Sequence, residues 1–194
     1  MTNKEATHKT TSALLSVARA HFAEYGYFDV ALEKIVEEAN VTRGAVYHHF
    51  KNKQGLFVAV LESVQEEVAA QIEKQALKSD EAWEQLILGC VGFIKAANAK
   101  ENRQILLVDA PAVLGWEVWR SVDAKHSMSV LQAHIEELKA QGYLREEVDT
   151  QLMTFALSGA LNELALQFCA NFKKKQEKKL LATLTQFVSG FRKA

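Results

Sequence analysis

The residues best equipped for chemistry form one run, Thr42-Arg43-Gly44-Ala45-Val46-Tyr47-His48-His49-Phe50-Lys51-Asn52-Lys53. Read as a short helix, it sets Arg43, Gly44, Tyr47 and His48 outward, with Val46 and Phe50, four apart, on the back. Arg43, Tyr47 and His48 offer hydrogen-bonding groups, while the small Gly44 and Ala45 allow a close backbone approach. A helix that enters the major groove and reads base edges from its N-terminal end needs these properties. Lys51 and Lys53 then fall near the start of the next helix, where free amides and the helix dipole already favour a phosphate. From Ala39 to Leu61 no acidic residue occurs, so the run is a local positive patch in a chain of net charge −1 and pI about 6.6. That overall charge gives no sign of a polyanionic partner; its distribution does.

Such a helix works only if others hold it. The spacing predicts a first helix over about Thr10 to Tyr25, with Leu14, Leu15, Ala18, Phe22 and Ala23 on one stripe and Gly26 as its stop. A short amphipathic helix follows over Ala31 to Ala39, with Asp29 as its expected cap. Asn40 marks a tight turn, and Thr42 is placed to cap the third helix, Arg43 to Phe50. A fourth opens near Asn52 and runs to about Leu77. Longer helices are expected over Glu81 to Asn98, Arg103 to Val108, Trp116 to Gln141, Glu147 to Asn171 and Lys175 to Phe191, with breaks at Lys78-Ser79-Asp80 and around Pro111. One proline and nine glycines in 194 residues, with 48% hydrophobic content, fit an all-α protein with a packed core. The expected organisation is a three-helix DNA-binding domain over 1–52 and a helical ligand-binding and dimerisation domain over 53–194.

The segment from Leu14 to Leu61 resembles the DNA-binding signature of the tetracycline-repressor (TetR) family. The matching stretches are Leu14-Leu15 with Ala18 and Phe22, Gly26-Tyr27, Ile35, Ala39, Val41-Thr42, and the specific run Gly44 to Lys53 with Leu56-Phe57. The resemblance implies that Thr42, Arg43, Ala45, Tyr47 and His48 lie at the groove and that Lys53 grips a phosphate; Gly44 and Lys51 complete the expected DNA-binding set. It implies a repressor that binds operator DNA and is released by an inducer, whose binding shifts the C-terminal helices and respaces the two recognition helices. The chain departs from the family near Thr11, often basic there, at Val30 and Ala31, often hydroxylated, and at Asn40, often glycine. Asp29 and Tyr27 are the nearest substitutes for the missing hydroxyls.

One short recognition helix reads few base pairs, so a homodimer on a palindromic double-stranded operator is expected. Its interface is expected on the last two helices, at Phe155, Gly159, Asn162, Leu166, Leu184, Phe187 and Phe191, where apolar residues cover more than one face. An effector of apolar or aromatic character is expected among Trp83, Ile87, Cys90, Phe93, Leu107, Asp109, Trp116, Trp119, His126 and Asn162, with Arg120, His134 and Gln167 as further polar groups. Trp116 and Trp119, after the Pro111 break, are the foremost aromatic candidates.

Other chemistries find little support. His126 and His134, eight apart, are separated by about 12 Å along a helix and cannot share a metal. Cys90 and Cys169 have no partners at zinc spacing and read as buried thiols. No phosphate loop, nucleophile elbow or zinc-protease motif occurs, so neither a metal, a cofactor nor catalysis is expected. The lysines at 173–175, 178 and 179 read as a solvated helix start. The N-terminus has no apolar signal run and no stretch is long enough to span a membrane, which points to a cytoplasmic protein without a membrane partner. Two alternatives stand beside the repressor: a helical binding protein without DNA, and a small enzyme using Asp109 or His126.

Overall fold

The computed structural model describes residues 3–168 and 174–193, and side chains within 7–168 and 175–193. It is all-α, with no strand among the described residues; Leu144 and Arg192 form an isolated antiparallel bridge. The chain divides into two compact units, Met1–Val64 with Lys100–Trp119, and Gln65–Ala99 with Arg120–Ala194. This differs from the 52/53 boundary read in the sequence, because the helix that starts at Lys53 contributes to both units.

In the first unit, α1 (Asn3–Asp29) carries the expected stripe but runs on through a kink at Gly26, whose φ of 78° and ψ of 162° only glycine adopts readily. After α2 (Leu32–Glu38) the chain turns at Asn40, left-handed at φ 52°, as its side chain tolerates. Thr42 caps α3 (Arg43–Phe50) by accepting the Ala45 amide at 3.3 Å. Asp29 does not cap α2: Ala31 holds that position, with no side-chain bond. Next comes α4 (Lys53–Ala76), capped where the Asn52 carboxamide oxygen accepts the Gly55 amide at 2.8 Å. Leu14, Phe22, Ile35, Val46, Leu56 and Phe57 are fully buried here. Phe57 stands edge-on to Phe22 at 5.2 Å and to Tyr27 at 5.1 Å; each such pair adds about 0.5–1.5 kcal/mol beyond area burial.

A later segment completes this unit: α6 (Lys100–Arg103), a π-helical turn (Gln104–Asp109), α7 (Ala110–Leu114) and the start of α8 (Trp116–Lys125), with α5 (Ala82–Ala97) preceding it in the other unit. Pro111 does not break the chain. It lies in the first turn of α7, where its missing N–H costs nothing, and the break falls at Gly115, φ 76°. Arg19 donates to Asn102 at 2.8 Å, the Tyr27 amide to Asp109 at 2.7 Å and Gln54 to the Val113 carbonyl at 3.2 Å, so the segment is tied to α1 and α4.

The second unit is built on α5, which packs against α9 (Ser127–Ala140), α10 (Thr150–Gln167) and α11 (Lys174–Ser189). It is strongly apolar, with Leu86, Cys90, Phe93 and Ile94 buried. Two glycines bring α4 close: a Cβ at Gly92 would sit 2.9 Å from the Gln75 Cβ, and one at Gly89 3.5 Å from Ile72. The expected single helix from Trp116 to Gln141 is two, parted at His126 (φ −117°, ψ −100°), whose carbonyl accepts the Ser129 hydroxyl at 2.9 Å. Asp149 caps α10 through the Leu152 amide at 2.9 Å.

Candidate nucleic-acid interface and effector cavity

The sequence of α3 sorts itself by burial. Val46 is fully buried, which anchors the helix by about 1.5–3 kcal/mol of apolar transfer. Thr42, Arg43, Gly44, Tyr47, His48 and Lys51 are exposed, Ala45 is half-buried, and together they form the outward face the spacing implied. Arg43 donates to the Tyr47 hydroxyl at 3.3 Å, lies over that ring at 5.7 Å and pairs with Glu33 of α2 at 3.2 Å. The Glu33 pair is exposed on both sides and screened by solvent, so Arg43 is readily released to a stronger anion. Tyr47 is 48% exposed, a large share for an aromatic side chain.

The junction after α3 is narrow. Lys51 takes a left-handed conformation, φ 69°, and its amide donates to the Tyr47 carbonyl at 3.1 Å. A Cβ on Gly55 would lie 1.9 Å from the Phe50 carbonyl oxygen, so only glycine fits there. Lys53 is half-buried: its ammonium donates to the Tyr27 carbonyl at 2.5 Å and lies 4.4 Å from the centre of the Tyr27 ring. Desolvation holds it below the usual lysine range, partly offset by the carboxylates of Asp29, Asp109 and Glu33.

The second unit contains a cavity of about 660 Å³ between the C-terminal half of α4, α5, the α8–α9 junction and α10. Its walls are apolar at Ile72, Leu86, Cys90, Phe93, Met128, Leu131 and Leu161, and polar at Gln85, Asp123, His126, Ser127, His134 and Ser158, with Glu66, Glu73 and Lys125 on exposed positions. Arg120 donates to Asp123 at 2.9 Å and to the Ser158 hydroxyl at 3.2 Å, and the Ser127 hydroxyl donates to Gln65 at 3.2 Å. Burial pushes the Asp123 carboxyl above the usual carboxylate range, against the pull of Arg120, the Gln65 amide and His126. A ring nitrogen of His134 meets the Ala82 carbonyl at 2.9 Å, which fixes that nitrogen as the protonated one. Burial drives the Cys90 thiol up to about 12, so it lines the cavity as an apolar group rather than a nucleophile.

Of the ten residues expected around an effector, Cys90, Phe93 and His126 line this cavity. Trp83 and Ile87 are buried elsewhere in the same unit, Trp83 stacked on Tyr143 beneath the Arg192 guanidinium. Asn162 neighbours Leu161 on α10 but does not line the cavity. Leu107, Asp109, Trp116 and Trp119 belong to the other unit; Leu107 and Trp119 are buried there, Trp116 is 66% exposed, and the Asp109 carboxylate accepts the Tyr27 amide. Gln85, Asp123, Ser127 and Ser158 were not among the expected residues, because nothing in a helical pattern separates a polar residue facing a cavity from one facing water. Cys169 and Lys173 lie outside the described residues.

The residues expected at a dimer interface also separate. Phe155, Gly159 and Phe187 are exposed, Asn162, Leu166 and Phe191 half-buried, but Leu184 turns inward with Leu180 and Val188 at four-residue spacing and is 1% exposed. Leu184 is a core residue of the second unit. The outward stripe gains Leu152 and Leu181, at 65% and 38% exposure, and a Cβ at Gly159 meets nothing within 4 Å.

The fold and the exposed face of α3 define a helix-turn-helix DNA-binding protein. Residues 14–60 match the model of bacterial regulatory proteins of the tetR family, and residues 83–191 that of the tetracyclin repressor-like C-terminal domain. The chain is 38% identical over 173 residues to the probable acrEF/envCD operon repressor of Escherichia coli K12, covering 84% of this chain and 77% of that one. It is 25% identical over 170 residues to the transposon Tn10 TetC protein of Escherichia coli, covering 88% and 85%. Among solved structures, a TetR-family transcriptional regulator from Pectobacterium atrosepticum matches with a TM-score of 0.73 and 30% identity over 97% of this chain and 94% of that one. The protein belongs to the TetR family and is a DNA-binding transcriptional regulator. No helix among the described residues is long and apolar enough to cross a membrane, and none of their acidic, histidine and cysteine groups clusters as metal ligands would.

Proposed function

We propose that the protein is a ligand-responsive repressor that binds a palindromic operator as a homodimer and is released by a small molecule entering the cavity of the second unit. The cavity carries the reading: about 660 Å³ of mostly apolar-walled space, with a few convergent polar groups, suits a compact apolar or aromatic effector with one or two hydrogen-bonding substituents. Thr42, Arg43, Ala45, Tyr47 and His48 read the groove, with Gly44 allowing close approach, while Lys51 and Lys53 meet phosphates. Repression is favoured by the relative named as an operon repressor. Dimerisation is favoured by the apolar stripe of Leu152, Phe155 and Gly159 on α10 with Leu181 and Phe187 on α11, exposed in the single chain. The test is release: the protein on a duplex it selects is challenged with a panel of small molecules, beside Ala69→Trp, which puts an indole into the cavity from its α4 wall. Release of the parent but not of the variant by one compound supports the reading; no release by any compound, or equal release of both, overturns it.

A further inference from the structure

Asp109 is a buried carboxylate, 4% exposed, that the cavity does not use. It ends the π-helical turn, and one oxygen accepts the Tyr27 amide at 2.7 Å while the other accepts the Gln104 carboxamide at 2.9 Å. The Tyr27 amide is free to donate because the kink at Gly26 takes it out of the α1 ladder. A side chain at that kink would be strained by the φ of 78° and would crowd the pair, since a Cβ on Gly26 would lie 3.3 Å from the Gln104 carboxamide nitrogen and 3.5 Å from the Asp109 carboxylate. On its other side, Tyr27 gives its carbonyl to the Lys53 ammonium and its ring to the same cation. One residue is thus held from both ends, by a carboxylate remote in sequence and by the lysine at the start of α4. An ammonium has three donors, and one anchored to Tyr27 leaves two for a phosphate.

We propose that Asp109 is a positioning residue for DNA binding: by fixing the Gly26–Tyr27 bend it aims the Lys53 ammonium at the operator backbone. The proposal rests on the reading of Lys53 as a phosphate contact. A lysine otherwise samples many rotamers, and anchoring it before DNA arrives removes part of the ordering cost of binding. A chain segment far from the recognition helix in sequence thereby sets DNA affinity without touching DNA.

The experiment measures affinity for a mixed-sequence duplex across a salt series for the parent, Lys53→Ala, Asp109→Ala, Asp109→Asn and the Lys53→Ala, Asp109→Ala double variant, with thermal unfolding of each. Asp109→Ala is expected to weaken binding about ten-fold and to flatten the plot of log affinity against log salt by about 0.9, the share of one phosphate. In the Lys53→Ala background the same change is expected to have little further effect. Asp109→Asn, which keeps an acceptor for the Tyr27 amide, is expected to retain most of the affinity and covers the case in which the alanine variant does not fold. Equal losses from Asp109→Ala with and without Lys53, or a folded Asp109→Ala with parental affinity and slope, overturn the proposal while leaving Lys53 in place. Parental affinity and slope for Lys53→Ala overturn the phosphate reading and the proposal with it.

Discussion

Two glycines in the DNA-binding unit should respond to the same substitution in opposite ways. At Gly44 a Cβ would meet nothing nearer than the Thr42 hydroxyl, at 3.7 Å, an ordinary contact. Gly44→Ala therefore costs no packing, and replacing glycine early in a helix stabilises the fold by up to about 1 kcal/mol. At Gly55 the same Cβ would lie 1.9 Å from the Phe50 carbonyl oxygen and 3.0 Å from its carbon, with Asn52 also close at 3.7 Å. Backbone must move by more than an ångström, and the Asn52 cap is lost with it, so Gly55→Ala should destabilise by about 2–4 kcal/mol. The assay is urea unfolding monitored by circular dichroism, with duplex binding at fixed salt. Gly44→Ala is expected to raise the unfolding midpoint yet weaken DNA binding several-fold, because in the proposed reading its methyl group would stand where α3 nears the bases. A stabilised Gly44→Ala with parental DNA affinity would refute the placement of Gly44 at the groove, and a Gly55→Ala with a parental midpoint would refute the geometry of the α3–α4 junction.

Leu184→Ala removes a fully buried side chain and should cost about 2–5 kcal/mol at any protein concentration. Phe187→Ala, at a 42% exposed position, should leave the protomer stable but lower the dimer fraction in light scattering over a dilution series. Asp123 supplies a pH test. Its folded-state value lies above its unfolded one, so the folded state holds more protons, and its contribution weakens as pH rises from the unfolded value through the raised one. Relative to the parent, Asp123→Asn should therefore be more stable at pH 7 than at pH 4, and a stability difference that does not vary with pH contradicts the cause assigned to the shift.

Much of this was legible where local rules and tertiary demands agree. The α3 run named its own N-cap, its buried Val46 and its exposed face, and the Asn40 turn was explicit because few residue types tolerate φ near +50°. The glycine at 55 was visible, but its necessity was not, since that depends on the path of the Phe50 carbonyl. Pro111 misled because a proline in a first helical turn reads like one that breaks a helix unless the preceding π-helical turn is known. The break at His126 carries no glycine or proline to announce it. Leu184 and Phe187 have the same apolar character three positions apart, and only the placement of α5 decides which of them turns inward. Asp109 is expected among the few polar groups of an effector pocket; in the structure its carboxylate accepts a backbone amide exposed by a kink 83 residues earlier at Gly26, a pairing no local pattern reveals.

The most direct measurement is selection of bound duplexes from a random DNA pool by the purified protein, beside an Arg43→Ala, Tyr47→Ala variant. Enrichment of a palindrome by the parent and not by the variant is the predicted result. Failure of the parent to enrich any duplex at low salt, or enrichment of the same palindrome by both proteins, would contradict the assignment of α3 as the element that reads DNA.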